Sequence, residues 1–480
     1  MRYPVIIRYT GLVLALNAVV MLLSAGLSLC YAGDGSLWAL ITSAVITATA
    51  GIVSWVRVPP AADITAKEGA TILAFSWLAS CLFGMLPYLF YGHGFSLVNA
   101  WFESVSGFTT TGATILQDVE ALPKGLLFWR SATHWIGGLG VVFMMALILP
   151  SMRGIKRRLV KTEMTTLAND NFKLRVVQTV RIISLMYAGL TLLETLLLRA
   201  AGMDWFDAVN HAFSTISTGG FSTRNASILA FQNPLVELII TLFMLVSGIH
   251  FGLLYMALSG HAKPLWRSPA VRFYLTALLA GIILVTLNLY IDNQYPTLAE
   301  AFRHSAFQIV SIGSTTGFTT AGTALWPTFS VLILIYFSFQ CACSGSTSGG
   351  VKADRILILF KAIKSYIRKQ QHPNAIIPVR VGGSIMDDDT VHSAVLFIVT
   401  YICLLVVGTL LLVLFNSDIL TGFSAALASL GNVGHGFGGA AMGNYAGIPF
   451  AGKLILTLLM LFGRLEIFGL LLVLFVRTWR

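Results

Sequence analysis

Long apolar runs alternate with short polar breaks along all 480 residues of the chain. Runs of about 20 residues are long enough to cross a bilayer core as helices. They fall near residues 10–31, 36–57, 69–91, 125–150, 176–199, 234–258, 270–291, 325–360, 391–416 and 452–478. An even number of spans puts both termini on one side. Arg2, Arg8, Arg477 and Arg480 mark that side as the cytoplasm by the positive-inside rule. The opposite connections carry few basic residues and several acids, among them Asp34, Asp118, Glu120, Asp204, Asp292 and Asp418.

The connections after the third, fifth, seventh and ninth spans share a second pattern. Each opens on a short amphipathic stretch, passes through Ser, Thr and Gly, and then enters the next span. They read SLVNAWFESVSGFTTTGAT (96–114), DWFDAVNHAFSTISTGGFST (204–223), TLAEAFRHSAFQIVSIGSTTGFTT (297–320) and DILTGFSAALASLGNVGHGFGG (418–439). Aligning the Thr-Gly and Val-Gly steps picks out Gly112, Gly219, Gly317 and Gly434, at a period of about 107 residues. That is an internal fourfold repeat of span, short helix, glycine turn and span. The units are 61–165, 166–265, 266–385 and 386–480, with 1–60 as two extra N-terminal spans. The predicted fold is all-α and polytopic, with four pseudo-symmetric repeats around one central pore.

A half-apolar stretch of some 10–14 residues is too short to span and suits a re-entrant helix. Non-helical backbone at membrane depth is tolerated only where protein buries it or it lines a watery cavity. Cation filters are built from such backbone, whose carbonyls replace an ion's hydration shell. Re-entrant helices would aim their partially negative C-terminal ends at the pore. No Asp or Glu stands at or beside the four glycines, which argues against a carboxylate ring for divalent ions and for a weakly hydrated monovalent cation. One such loop alone is equally well read as an extracellular turn; four in register are not.

Composition agrees with this class. Apolar residues make up 56% of the chain and charged residues 11%, and the mean hydropathy is +0.81. A soluble chain usually carries ~25% charged residues. The net charge of +11 would suggest nucleic acid in a soluble protein, but here it is clustered beside spans. Arg153, Lys156, Arg157, Arg158, Lys161, Lys173 and Arg175 form one group; Lys352, Arg355, Lys361, Lys364, Arg368, Lys369 and Arg380 form another. These are read either as cytoplasmic topology determinants or as contacts for anionic lipid or a cytosolic partner, and no nucleic acid is expected. Cys30, Cys81, Cys341, Cys343 and Cys403 lack zinc spacing and a disulfide framework, so they are expected to be structural. No cleavable signal is evident at the N-terminus.

With these residues in view, the chain resembles the Trk/Ktr/HKT superfamily of potassium transporters over essentially its whole length. The resemblance rests on SGFTTTGAT (106–114), HWIGGLG (134–140), STGGFS (217–222), TTGFTT (315–320), CSGSTSGGVK (343–352), GNVGHGFG (431–438) and GRLEIF (463–468). The two extra N-terminal spans make it similar to the Trk branch. The resemblance implies potassium-binding filter residues at Thr110, Thr111, Gly112, Thr218, Gly219, Gly220, Thr316, Gly317, Phe318, Asn432, Val433 and Gly434, with one filter glycine per repeat at Gly112, Gly219, Gly317 and Gly434. Glycine in all four loops is the pattern associated with potassium preference; serine in the first, as in some plant relatives, favours sodium. It also implies a homodimer in a bacterial inner membrane and a cytosolic RCK-type (TrkA-like) nucleotide-binding regulatory subunit. Potassium is then the transported ion, with no covalently bound cofactor.

Two features are candidate gates. CACSGSTSGG (341–350) breaks the eighth span with polar, glycine-rich backbone that cannot face lipid cheaply. The resemblance implies an intramembrane loop beneath the filter, so Gly345, Ser346, Thr347, Ser348, Gly349 and Gly350 are expected to move on opening; the competing reading is a static kink. A phosphate-binding P-loop is rejected, because its G-x-x-x-x-G-K-[ST] spacing is absent. Arg464 lies inside the tenth span, where charge is expensive and by default functional. A guanidinium about 7 Å from a permeating cation opposes it by roughly 2 kcal/mol at an effective dielectric of about 20. The resemblance places it facing the pore; the competing reading is a structural pair with Glu466.

His134, His250 and His435 have no partner at metal spacing and are read as packing or pore-lining residues. Glu194 and Glu237 are given no role, with Arg199 as a possible ion partner. An intramembrane enzyme would need a nucleophile–base pair or metal cluster at depth, and none is seen. A proton- or sodium-coupled potassium symporter, or a less selective potassium/sodium transporter, stays open as the alternative function, although coupled carriers usually use inverted repeats and intramembrane carboxylates.

Overall fold

The computed structural model describes residues 2–31, 34–59, 66–153, 166–415, 418–437 and 443–467. Residues 154–165, which hold most of the first basic cluster, and 468–480, with the end of the tenth span, Arg477 and Arg480, lie outside the described residues, as does Gly439.

The described residues are mostly helical. A hairpin of α1 (Tyr3–Cys30) and α2 (Leu37–Arg57) comes first. The two helices cross backbone to backbone, since a Cβ at Gly11 would lie 2.7 Å from the Gly51 carbonyl oxygen. Their turn is held by Asp34, which accepts from the Ser36 hydroxyl at 2.7 Å and from the Gly125 amide at 2.9 Å. Then follow α3 (Ala66–Gly84) with its short continuation α4 (Leu86–Tyr91), α5 (Leu97–Phe108), α6 (Lys124–Arg153), α7 (Thr166–Ala200) and α8 (Trp205–Ile216).

The sixth span departs from the sequence expectation of one helix. It is broken into α9 (Pro234–Ser247) and α10 (Phe251–Leu258), bent by 107°. His250 caps the second piece by accepting from the Gly252 amide at 3.0 Å. After α11 (Lys263–Arg267) and α12 (Pro269–Ile291) come α13 (Leu298–Gly313) and α14 (Thr328–Gln340). The eighth span is interrupted as expected, and α15 (Ala353–Gln371) leaves the break as a separate helix. A two-residue Gly382-Gly383 turn, with φ of +59° and +85°, joins β1 (Arg380–Val381) to β2 (Ser384–Ile385). Positive φ at both positions suits the hairpin twist and is cheap only for glycine. Then come α16 (Asp388–Leu414), α17 (Ile419–Leu430) and α18 (Phe450–Arg464).

Among the described residues six helices are long and apolar enough to cross a membrane, or seven if α9 and α10 count as one span. The burial pattern is that of a membrane protein with a polar interior. Leu16, Leu23, Leu284 and Leu410 are exposed, while Thr109, Thr110, Ser217, Thr218, Ser314, Thr315 and Thr316 are fully buried. One apolar cluster joins the first six helices to α16–α18 through residues such as Trp77, Phe102, Trp129, Tyr401 and Met460. A second, around Met244, Tyr274, Phe307 and Phe337, joins α9 and α12–α14. These clusters hold four short helices, α5, α8, α13 and α17, against the centre.

Candidate functional site

The four short helices start and finish alike. Each is capped at its N-terminus by a side-chain oxygen that accepts from the amide three residues on: Ser96 from Asn99, Asp204 from Asp207, Thr297 from Glu300 and Asp418 from Thr421, at 3.0–3.3 Å. Such caps satisfy one of the orphan amides of the first turn. Each then ends in a Schellman turn. The amides of Thr110, Thr218, Thr315 and Asn432 bond back three residues, at 3.0, 2.9, 3.0 and 3.2 Å. The amides of Thr111, Gly219, Thr316 and Val433 bond back five, at 2.9, 2.8, 2.8 and 2.8 Å.

That turn needs a left-handed residue at its next-to-last position, normally glycine. Here Thr110, Thr218, Thr315 and Asn432 take it, at φ of +49°, +56°, +66° and +53°. For a β-branched residue this is a real outlier, held by burial and bonding. Two residues further on, Gly112, Gly220, Gly317 and Gly434 have φ of +80°, +80°, +80° and +71°.

This register corrects two assignments. In the second loop the glycine in step with Gly112, Gly317 and Gly434 is Gly220, not Gly219. In the third loop the triplet is Thr315, Thr316 and Gly317, so Phe318 lies one residue past it, with its ring 5.7 Å from that of His211. Gly219 is required for a different reason: a Cβ there would run into the His134 imidazole. His134 in turn stacks on Phe221 at 4.0 Å between ring centres.

The four glycines close a ring. A Cβ on Gly112 would strike the carbonyl oxygen of Gly219, one on Gly220 that of Thr316, one on Gly317 that of Val433, and one on Gly434 that of Thr111. Each loop thus presses a backbone oxygen onto the glycine of a neighbouring loop, in the cyclic order first, second, third, fourth, first. The helix C-termini end within a few residues of this ring and bring their negative ends to it. Four backbone oxygens without a carboxylate among them are chemically suited to a dehydrated monovalent cation.

Side chains that the sequence reading did not single out brace the ring. Glu103 on α5 is fully buried and accepts from Arg130 Nε at 2.6 Å, the Thr114 hydroxyl at 3.0 Å and the Ile115 amide at 3.2 Å. Arg130 continues to the Ser222 carbonyl at 3.0 Å and lies over the Phe221 ring, tying the first loop to the second. The available signal was a lone Arg inside the apolar run LLFWRSATHW, since charge at membrane depth needs a partner. Tyr445 donates to the Gly434 carbonyl at 2.9 Å, and Asn432 Nδ2 reaches Thr111 Oγ1 at 3.0 Å, closing the seam between the fourth and first loops.

Directly against the ring lies the broken eighth span. Cys341 has φ of +57°, Gly345 +81°, Gly350 +68° and Lys352 +77°. The segment docks on the bend of the sixth span, with Cys343 N on the Gly248 carbonyl and Phe251 N on the Gly345 carbonyl, both at 3.1 Å. Ser346 Oγ is 3.0 Å from Ser348 Oγ. Thr347 Oγ1 donates to the Ile216 carbonyl at 3.1 Å, and the Gly349 amide donates to Thr315 Oγ1 at 3.2 Å. A Cβ on Gly350 would stand 3.5 Å from Gly431 Cα. Residues 345–350 therefore touch the ends of the second, third and fourth short helices together.

Arg464 is 3% exposed and donates to the Thr347 carbonyl at 2.7 Å and the Gly137 carbonyl at 3.3 Å. It is not paired with Glu466, which instead binds Arg355 at 2.7 Å. Glu237 pairs with Arg303 at 3.3 Å and not with Arg199, while Glu194 is fully buried. Lys352, counted above among the basic loop residues, is buried. All five cysteines are free, and among the described residues no group of three His, Cys, Asp or Glu is placed to hold a metal ion.

Fold and site together define a class: a multi-pass helical membrane protein built around four capped, glycine-turned half-helices. The family model named TrkH and described as a cation transport protein matches residues 39–478, and the chain belongs to that family. It is 35% identical over 484 residues to the Trk system potassium uptake protein TrkH of Salmonella typhimurium, covering 100% of both chains. It is 35% identical over 421 residues to the Trk system potassium uptake protein TrkG of Escherichia coli, covering 87% of this chain and 86% of that one. The crystal structure of the potassium transporter TrkH from Vibrio parahaemolyticus superposes with a TM-score of 0.91 at 35% identity, over 100% of each chain.

Proposed function

We propose that this protein takes up potassium through a single channel-like pore whose selectivity filter is the ring at Gly112, Gly220, Gly317 and Gly434. The observation that carries the reading is the closed cycle of four backbone oxygens, each seated on the preceding loop's glycine. Relatives covering the whole chain are named potassium uptake proteins, which supports potassium as the ion. In this reading the units 61–165, 166–265, 266–385 and 386–480 surround one axis and 1–60 lies outside them. The protein works as a homodimer in a bacterial inner membrane with both termini cytoplasmic.

Residues 345–350 form the gate, and Arg464 holds it by the Thr347 carbonyl. The exposed basic face of α15, with Lys361, Lys364 and Lys369, suits a cytosolic RCK-type nucleotide-binding regulator. The test is rubidium uptake into vesicles containing the purified protein, with sodium and potassium as competitors. Inhibition by potassium at concentrations where sodium has little effect supports the reading; equal competition, or uptake that requires a proton or sodium gradient, contradicts it.

A further inference from the structure

Lys352 is placed against every local preference. It is 3% exposed, and its backbone is left-handed at φ +77°, a conformation a long side chain rarely adopts. It occupies the N-cap of α15, where the helix dipole repels a positive charge. None of the ion pairs among the described residues includes it. The nearby acids are engaged elsewhere: Glu466 binds Arg355, and Asp354 accepts from the Ser344 amide. Its Nζ instead turns back into the intramembrane loop, donating to the Ser348 carbonyl oxygen and lying 3.4 Å from Ser348 Oγ. Arg464 holds the carbonyl just before it, that of Thr347. Two positive side chains thus sit on successive backbone oxygens of one loop, and among the described residues no carboxylate is within ion-pair distance of Lys352.

An ammonium and a potassium ion carry the same charge and are of similar size, and backbone and hydroxyl oxygens coordinate either. We propose that Lys352 is a tethered cation filling an internal monovalent-cation site of the loop, formed by the Ser348 carbonyl and hydroxyl, and that it thereby latches the path below the ring shut. The strain at Lys352 is what the latch stores, because backbone strain of this kind persists only where the surroundings enforce it. Opening then withdraws the ammonium and leaves those oxygens to the passing ion. The inference rests on the potassium-pore reading above and adds a cation site and a latch to it.

The experiment compares rubidium uptake by equal amounts of monodisperse protein in vesicles: the parent, K352M, K352Q, K352R and a deletion of 345–350. The proposal predicts at least fivefold faster uptake in K352M and K352Q with the preference for potassium over sodium retained. It predicts that K352R, which keeps the charge, stays clearly below both. Parental rates in K352M and K352Q while the deletion speeds uptake overturn the latch and leave the loop gate standing. An equal rise in K352R and K352M also overturns it, since the charge would then be irrelevant. A deletion that leaves uptake unchanged removes the loop gate itself.

Discussion

Arg464 Nη1 lies 2.7 Å from the carbonyl oxygen of Thr347, and its Nη2 lies 3.3 Å from that of Gly137. One guanidinium on α18 therefore clamps the intramembrane loop to α6. Its Nε finds no partner among the described residues, where these two bonds hold the side chain. Hydrogen bonds to a charged group contribute about 1.5–3 kcal/mol each. Arg464→Ala removes both together with the buried positive charge. Rubidium uptake is expected to rise several-fold, and an uptake rate equal to that of the parent would show that the clamp does not limit flux.

The two adjacent glycines of the second loop have different jobs, and a pair of substitutions separates them. Gly219→Ala meets the His134 ring, so His134→Ala in the same chain should restore much of the lost uptake. Gly220→Ala meets the Thr316 carbonyl and must also hold φ near +80°, which no side-chain replacement relieves. Strain of about 1–3 kcal/mol is expected at such a position. Uptake by Gly220→Ala should fall about tenfold or more, as 1.4 kcal/mol corresponds to tenfold, with or without His134→Ala. Rescue of Gly220→Ala by His134→Ala would show the register to be wrong.

Glu103 and Arg130 form a fully buried pair at 2.6 Å that ties the first loop to the second. Breaking such a pair by removing one partner costs about 3–5 kcal/mol, because the other charge is left stranded. Arg130→Ala should give protein that melts well below the parent in detergent, and Glu103→Gln a smaller loss, since the amide still bonds Thr114. The check is thermal unfolding followed by size-exclusion profile; a parental melting point for Arg130→Ala would contradict the bracing role.

Asp34 holds the turn between α1 and α2 to the start of α6. Burial pushes its carboxyl upward, but bonds from Ser28, Ser36 and the Gly125 amide outweigh it and hold the group below the usual carboxylate range. A carboxylate depressed on folding stabilises at pH above its unfolded value, and that stability is lost as pH falls through the folded value. Asp34→Asn should therefore lower the melting temperature near neutral pH, and the gap from the parent should close in acid below the ordinary carboxylate range. A gap that stays constant with pH would mean that the ionised form contributes nothing.

Much of this was legible in the chain itself. The apolar runs located most helices, and Ser, Thr and Gly between amphipathic stretches located the four loops. At Gly112, Gly317 and Gly434, with φ of +80°, +80° and +71°, no second glycine is adjacent in sequence, so the alignment found them. At Gly219-Gly220 two were adjacent, and the choice depends on where His134, over 80 residues earlier, comes to rest. The bend at His250 was hidden because Gly248 and His250 interrupt an otherwise continuous apolar run; its amides and carbonyls are satisfied by the distant loop at Cys343 and Gly345. Lys352 looked like one more cytoplasmic charge because composition records that a residue is basic, not that its chain folds back into the interior.

The most direct test of the central claim, a potassium-selective pore through the four-loop ring, is ion competition by the purified protein in vesicles before and after Gly112→Ser. The resemblance implies that serine at this position favours sodium, and a side chain there would press on the Gly219 carbonyl. The expected result is that potassium outcompetes sodium against rubidium uptake in the parent and that this preference largely disappears in the variant. A folded variant with an unchanged preference for potassium would contradict the placement of the filter at this ring.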